Sequence, residues 1–279
     1  MIQKEKINNT HSKSENTKRL SVQISLTGLS FLISCVKTKK IEWKTQERWL
    51  YSLSNPEELL ERCVRILENT SIDLHQIKNV SLFYHTPLYT IVPTQLWNSS
   101  HPLSYLKYTL KTLPQDFVTH ENILHNSAKL VYIPFVNINN YFFETFGSFH
   151  YYHALGCWVD YCAELTKNTT SVFTNITSRQ MDVLVFKKGQ LHLLNSFEYY
   201  TKEDLTYYLL FIYEQLELNP DKIPLYLSGS IDQSDPIYSL LYRYIRFVEF
   251  IDTQRIETQT FNEEAPHKNL LLKLGIQCV

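Results

Sequence analysis

Glycine is scarce, at 6 residues in a chain of 279. Loops that cradle phosphates use glycine to bring backbone N–H groups close to the anion. Neither the P-loop pattern nor the dinucleotide glycine fingerprint is present. The Gly-x-Ser-x-Gly elbow of hydrolases is also missing, and the ten histidines have no recognisable spacing to a nucleophile. Charge of one sign is lacking too. The formal net charge is −1, so no long-range field draws the chain to nucleic acid or to an anionic membrane.

Long apolar runs are absent as well. No segment approaches the roughly 20 residues of a membrane span, and no N-terminal stretch has the make-up of a signal peptide. Five cysteines (Cys35, Cys63, Cys157, Cys162, Cys278) lack CxxC spacing. An odd, scattered set fits reduced, buried thiols, and a cytoplasmic location is expected. His150, His153 and Cys157 lie near one another in sequence, with Cys162 beyond, but no second pair at zinc-like spacing accompanies them. No metal is expected.

What is present suffices for a real core. Hydrophobic residues make up 44% of the chain and charged residues 20%, with 19 Tyr and 15 Phe. The length allows two lobes of roughly 100–150 residues each. Residues 1–19 are polar and read as a flexible tail. Residues 20–36 alternate around Thr27-Gly28 as a hairpin, and 40–49 give a third strand. Asn55 and Pro56 open a helix whose stripe is Leu59, Leu60, Cys63, Val64 and Leu67, and 77–84 is a buried strand. The interruption at about 88–130 holds a strand-like start, a helix with the stripe Leu103, Leu106, Leu110 and Leu113, and strands near 117–123 and 128–135; helices at 137–146 and 150–166 follow. Three strands then return at 171–176, 181–186 and 191–199. A helix capped by Thr201 with Asp204, a strand at 223–228 and a helix opened by Asp235-Pro236 follow. A strand at 247–251 comes next, and the apolar segment 269–274 reads as a last strand or as a partner-binding or membrane helix.

The β-β-β-α-β-α order therefore occurs twice. The expected organisation is a first lobe over 20–135 with an insert at about 88–130, connecting helices over 136–169, and a second lobe over 170–279. The fold class is α/β with mixed sheets.

That duplicated plan resembles the actin-like ATPase fold, itself related to ribonuclease H. The phrases TIVPTQLW…LSYLKY, VYIPFVNINNYFFETFGSFHYYHA, FKKGQLHLLNSFEYYTKEDLTYYLLFIYEQLELNP and LYLSGSI resemble domain-of-unknown-function family 3822, from about Leu20 to the C-terminus. The resemblance implies an actin-like fold in a bacterial protein and no particular chemistry. A more distant likeness joins the insert to actin-like proteins of pilus assembly and division.

In the ATPases so resembled, each lobe's first hairpin offers an Asp-x-Gly loop for metal and phosphate. Here the first Asp position falls near Ser25, with Gly28 in the turn. The second loop is Thr177-Ser178-Arg179-Gln180, without Gly or Asp, and Asp182 on the next strand is expected to face solvent or cap a sheet edge. A third element survives as Ser228-Gly229-Ser230. Residual cleft candidates are thus Ser25, Gly28, Arg179, Ser228, Gly229 and Ser230. No cofactor is expected and no catalytic residue is assigned, with Mg–ATP the alternative in a divergent ATPase or kinase. The expected role is a non-catalytic scaffold or interaction module, its partner a protein or a second copy. Trp97, Tyr105 and Tyr108 of the insert form the expected partner surface, because Tyr and Trp anchor interfaces.

Overall fold

The strands of the two halves form two separate sheets built to one plan. The structure is a computed structural model and describes residues 17–49, 51, 53, 55–113, 115–256 and 265–277. Of the expected tail at 1–19, residues 1–16 lie outside the described residues, and Lys18 and Arg19 belong to the first strand. In the first half, β1 (Lys18–Ser25), β2 (Gly28–Cys35) and β3 (Ile41–Arg48) form a meander, followed by α1 (Pro56–Glu68) and β4 (Ile77–Tyr84). The insert contributes β5 (Tyr89–Pro93), α2 (Pro102–Leu106), β6 (Thr119–Ile123) and β7 (Ala128–Tyr132). The chain then forms α3 (Val136–Phe146), β8 (His150–His153) and α4 (Ala154–Thr166). The second half runs through β9 (Ser171–Ile176), β10 (Gln180–Lys187), β11 (Gln190–Glu198) and α5 (Lys202–Gln215). It continues with β12 (Leu225–Gly229), α6 (Pro236–Tyr244) and β13 (Val248–Phe250), and α7 (Leu270–Gln277) is last.

The sheet orders are β3-β2-β1-β4-β8 and β11-β10-β9-β12-β13, with β5-β7-β6 a third, smaller sheet. In both large sheets the meander is antiparallel and the last two strands add in parallel. The insert thus has its own sheet and interrupts neither large one.

Local chemistry accounts for most element ends. Asn55 accepts from the Glu57 N–H with Pro56 in the first turn of α1. Thr201 and Asp204 form a reciprocal capping box on α5. Asp235 holds the N-cap position of α6 without a side-chain cap bond.

Two expectations are corrected, and one open alternative is decided. Residues 150–153, expected to open a helix, are β8, which pairs in parallel with Ser81–Tyr84 of β4 and completes the first sheet. The run His-Tyr-Tyr-His suits a half-buried strand, and Gly147 at φ 77° ends α3 before it. The helix expected across the insert shortens to α2, where Thr109 turns both its N–H and hydroxyl onto Leu106 O. The apolar run at 269–274 is helical, and Leu270, Leu271, Leu272 and Leu274 are all buried. A short apolar run has no period to tell strand from helix.

Leu20, Val22, Ile24, Leu29, Phe31 and Ile33 fill one face of the first sheet beneath α1 and α3. Phe173, Leu184 and Phe186 of the second sheet join the same cluster beside Trp158 of α4. Each such side chain contributes about 1.5–3 kcal/mol on burial. The apolar core therefore runs unbroken from one lobe into the other.

Candidate functional site

Four strands of the second sheet place polar side chains in one row. Cross-strand register sets Asp182 of β10 opposite Asn175 of β9 and Ser196 of β11, and Asn175 opposite Ser228 of β12. Neighbouring positions in register share a sheet face, so the four project together. Asp182 is fully buried. This corrects the expectation that it faces solvent or caps an edge.

An unpaired buried carboxylate would cost several kcal/mol. Asp182 is instead saturated with donors. Its Oδ2 accepts from Asn175 Nδ2 at 3.0 Å and lies 2.7 Å from His85 Nε2. Its Oδ1 accepts from Gln180 Nε2 and Ser196 Oγ, each at 2.7 Å. Burial pushes its pKa up, but His85 and the hydrogen bonds from His85, Asn175 and Gln180 outweigh that and hold it below its ordinary value of 3.8.

His85 comes from the first lobe. It follows the end of β4, and its N–H donates to Ile24 O at 2.8 Å, carrying the β1/β4 ladder one residue further. Its Nδ1 lies 3.4 Å from Gln23 Nε2 of β1. The insert closes the remaining side. Tyr89 O–H meets Ser196 Oγ at 3.1 Å. Since Ser196 donates to Asp182, Tyr89 is the donor in that bond. Burial and the nearby Asp182 charge push the Tyr89 pKa well up, so the phenol keeps its proton.

Beneath this junction sits His153, fully buried at the N-cap of α4. Its Nε2 lies 3.0 Å from Thr86 O and its Nδ1 accepts from the Leu155 N–H at 3.4 Å. A carbonyl only accepts, so the proton sits on Nε2. The rings of Tyr89 and Tyr132 stand 4.8 and 5.3 Å away. Burial lowers its pKa to about 3, with His85 adding to the effect. The imidazole is neutral and structural. Among the described residues, no group of three or more His, Cys, Asp or Glu could hold a metal ion.

The arrangement has the residue types of a Ser-His-Asp relay but not its wiring. Ser196 and His85 both bond to Asp182, and His85's other nitrogen faces Gln23. No base is in contact with a nucleophile, which acyl transfer requires. Neither Asp182 oxygen is left for a hydrated cation.

The other sequence candidates lie around this junction. Ser25 donates its hydroxyl to Gly28 O at 2.9 Å, closing a hairpin whose two loop residues are Leu26 and Thr27. Gly28 therefore begins β2 and does not sit in the turn proper. A Cβ there would lie 2.8 Å from Glu47 O, so this glycine serves the approach of β3. In the second hairpin Thr177 accepts from and donates to Gln180, closing the loop on itself. Arg179 lies over the Tyr200 ring at 5.3 Å. Ser228 directs its hydroxyl at Thr174 O and Asn175 Oδ1, 3.3 and 3.4 Å away. Gly229 has φ +92°, and a Cβ there would stand 2.2 Å from Ile176 O. Its N–H donates to His267 O at 3.0 Å, and the Ser230 N–H to Ile176 O at 2.6 Å. The structure thus brings Ser228–Ser230 beside the loop of Arg179, while Ser25 and Gly28 stay with their own hairpin.

In the insert, Trp97 stacks on Tyr105 at 5.3 Å and meets the tilted His120 ring at 4.6 Å, over Val92, Leu106 and Val131. The Tyr105 hydroxyl is held between Asn98 N and Leu96 O. Both belong to a small private core. Tyr108 is 90% exposed. A cavity of about 420 Å³ lies between the insert and the start of α3, lined by Leu88, Leu113, Phe117, Ile133, Pro134 and Val136 among others.

Two sheets of identical order, a shared core and a polar junction between them define a protein of the actin-like ATPase fold. A protein of Bacteroides thetaiotaomicron VPI-5482 with actin-like ATPase fold and unknown function superposes with a TM-score of 0.74 at 18% identity, covering 99% of this chain and 100% of that one. The PilM–PilN type IV pilus biogenesis complex contains a chain that matches with a TM-score of 0.62 at 10% identity, over 93% of this chain and 97% of that one. The chain belongs to the family of proteins of unknown function DUF3822, whose model matches residues 7–248. Among curated proteins none matches the sequence. Among the described residues no helix is long and apolar enough to cross a membrane.

Proposed function

We propose that this protein is a non-catalytic, actin-like interaction module, a pseudo-ATPase of the bacterial cytoplasm that works through its surfaces. The observation that carries the reading is the saturation of Asp182. This buried carboxylate between the lobes already holds four protein donors, one of them His85 from the opposite lobe. Mg–ATP would need an anionic group to hold its cation and free backbone donors to hold its phosphates. The Gly229 and Ser230 N–H groups are spent on His267 O and Ile176 O. Binding of Mg–ATP would therefore have to break bonds inside the fold. Incubation with Mg–ATP should release no phosphate above the buffer rate. Turnover that disappears in Asp182→Asn would instead make the chain a divergent ATPase or kinase.

The partner is a protein or a second copy of this chain, and it docks on the insert. Support comes from the exposed Tyr108 and from the apolar cavity bordered by Leu113 and Phe117, which are 50% and 48% exposed. The solved PilM chain of the same fold is itself in complex with PilN. Trp97 and Tyr105 support this surface from beneath. Recovery of co-purifying protein by tagged wild type, lost with Tyr108→Ala or Phe117→Ser at unchanged melting temperature, is the expected result. Equal recovery by both variants would move the partner surface elsewhere.

A further inference from the structure

The C-terminal segment touches both lobes, and its two ends do so by different chemistry. Residues 265–269 lie on the second lobe. The Gly229 N–H donates to His267 O at 3.0 Å, and His267 Nε2 lies 2.7 Å from Ile231 O. The His267 ring stacks on Phe250 of β13 with centroids 3.9 Å apart and planes 15° from parallel. Lys268 Nζ meets Asp232 Oδ2 at 2.6 Å. These contacts fasten the segment to the turn after β12 and to the neighbouring edge strand.

The helix that follows packs onto the first lobe. Leu272 is buried with Leu32 of β2 and Ile41 of β3. Gly275 sits so close over β4 that a Cβ there would stand 2.4 Å from the Phe83 ring. The helix also contacts β1, β4 and α4 as well as β12. Between strap and helix the turn is stiffened by Lys268 N to Ala265 O and by Lys273 Nζ to Pro266 O, both at 3.0 Å. A short, internally braced unit thus has one end hydrogen-bonded to the second sheet and the other packed on the first.

We infer that residues 265–277 form a cross-lobe clamp that sets the angle between the two lobes, working alongside the His85–Asp182 contact. The strap end is held by one buried ring, His267, and by polar bonds whose Lys268 and Asp232 side chains are 29% and 49% accessible, whereas α7 is held by four buried leucines. The clamp therefore opens at its strap end first, leaving α7 seated on the first lobe. An opening of that kind frees the Gly229 turn and lets the lobes swing about the remaining junction. This goes beyond the proposed role, since it assigns a conformational function to a segment the family match does not reach.

Spin labels at Glu68→Cys of α1 and Glu214→Cys of α5, in a chain carrying Cys278→Ser, report the distance between the lobes. Cys35, Cys63, Cys157 and Cys162 are buried and closed to the label. The parent chain should give one narrow distribution, and His267→Ala/Lys268→Ala one that is broader and shifted to longer distance. A distribution as narrow as the parent's overturns the clamp. Amide exchange in the unmodified protein decides the matter if that variant fails to fold. The Gly229 amide should then exchange faster than that of Leu227, because only the strap covers it. Equal protection of Gly229 and Leu227 would show that the strap does not open separately, and would overturn the proposal.

Discussion

His85 Nε2 and Asp182 Oδ2 stand 2.7 Å apart, both buried, and belong to opposite lobes. This pair joins the two sheets directly, one partner following β4 and the other lying on β10. Its energetic weight follows from what its loss would strand. Asp182→Leu leaves His85, Asn175, Gln180 and Ser196 without their common acceptor. Breaking such a buried network from one side costs about 3–5 kcal/mol. Urea unfolding should show that loss, and a smaller one for Asp182→Asn, which keeps one acceptor oxygen but turns an NH2 donor toward two of the four donors. Equal stability of Asp182→Leu and wild type would remove the pair from the account.

Acid should destabilise the protein in two stages. His153 is held neutral with its pKa lowered by burial to about 3, and burial also lowers His267 from 6.5. The unfolded chain takes up these protons near pH 6.5 and the folded protein does not, so their contribution is complete above 6.5 and shrinks as pH falls. Asp182 has the depressed pKa of a paired carboxylate, so its contribution holds above 3.8 and is lost only below that. Melting temperature should decline from pH 6.5 downward and more steeply below 4. His153→Gln, which keeps a donor for Thr86 O, should flatten the upper part alone. An unchanged slope in that variant would show that His153 is not its source.

The insert separates stability from binding. Trp97 packs on Tyr105 and His120 and is half-buried, so Trp97→Ala should cost on the order of 1–3 kcal/mol. Tyr108 is nearly free of the surface, and Tyr108→Ala should stay within about 0.5 kcal/mol of wild type. A large loss at Tyr108 with none at Trp97 would reverse these assignments.

Gly229 is a backbone necessity. Its φ of +92° and its approach to Ile176 O leave no room for a side chain. Gly229→Ala should lose at least about 1–3 kcal/mol from the conformational strain alone. A melting temperature equal to wild type would refute the tight packing of this turn.

How far the sequence reaches depends on whether a signal is local. Asn55, Thr201 and the paired meanders announce themselves within a few residues, and the duplicated order of elements follows from them. Residues 150–153 and α7 do not. His-Tyr-Tyr-His becomes a strand because β4 offers it an edge, and Leu-Leu-Leu-Lys-Leu becomes a helix because a groove receives it. The junction was half visible. Asp182 is the one polar residue among the buried positions of β10, and the register alone shows that Asn175 and Ser196 lie opposite it. The reach of His85 across the lobes has no counterpart in local sequence, because residues 85 and 182 meet only when both sheets are built.

At the junction of the two lobes the protein's own side chains occupy both oxygens of Asp182. Thermal unfolding with and without millimolar Mg–ATP tests it most directly. A ligand at 100 times its Kd would add about 2.7 kcal/mol, a shift plain in any melting curve. The account predicts superimposable curves. A nucleotide-dependent rise in melting temperature, absent in Asp182→Asn, would contradict it.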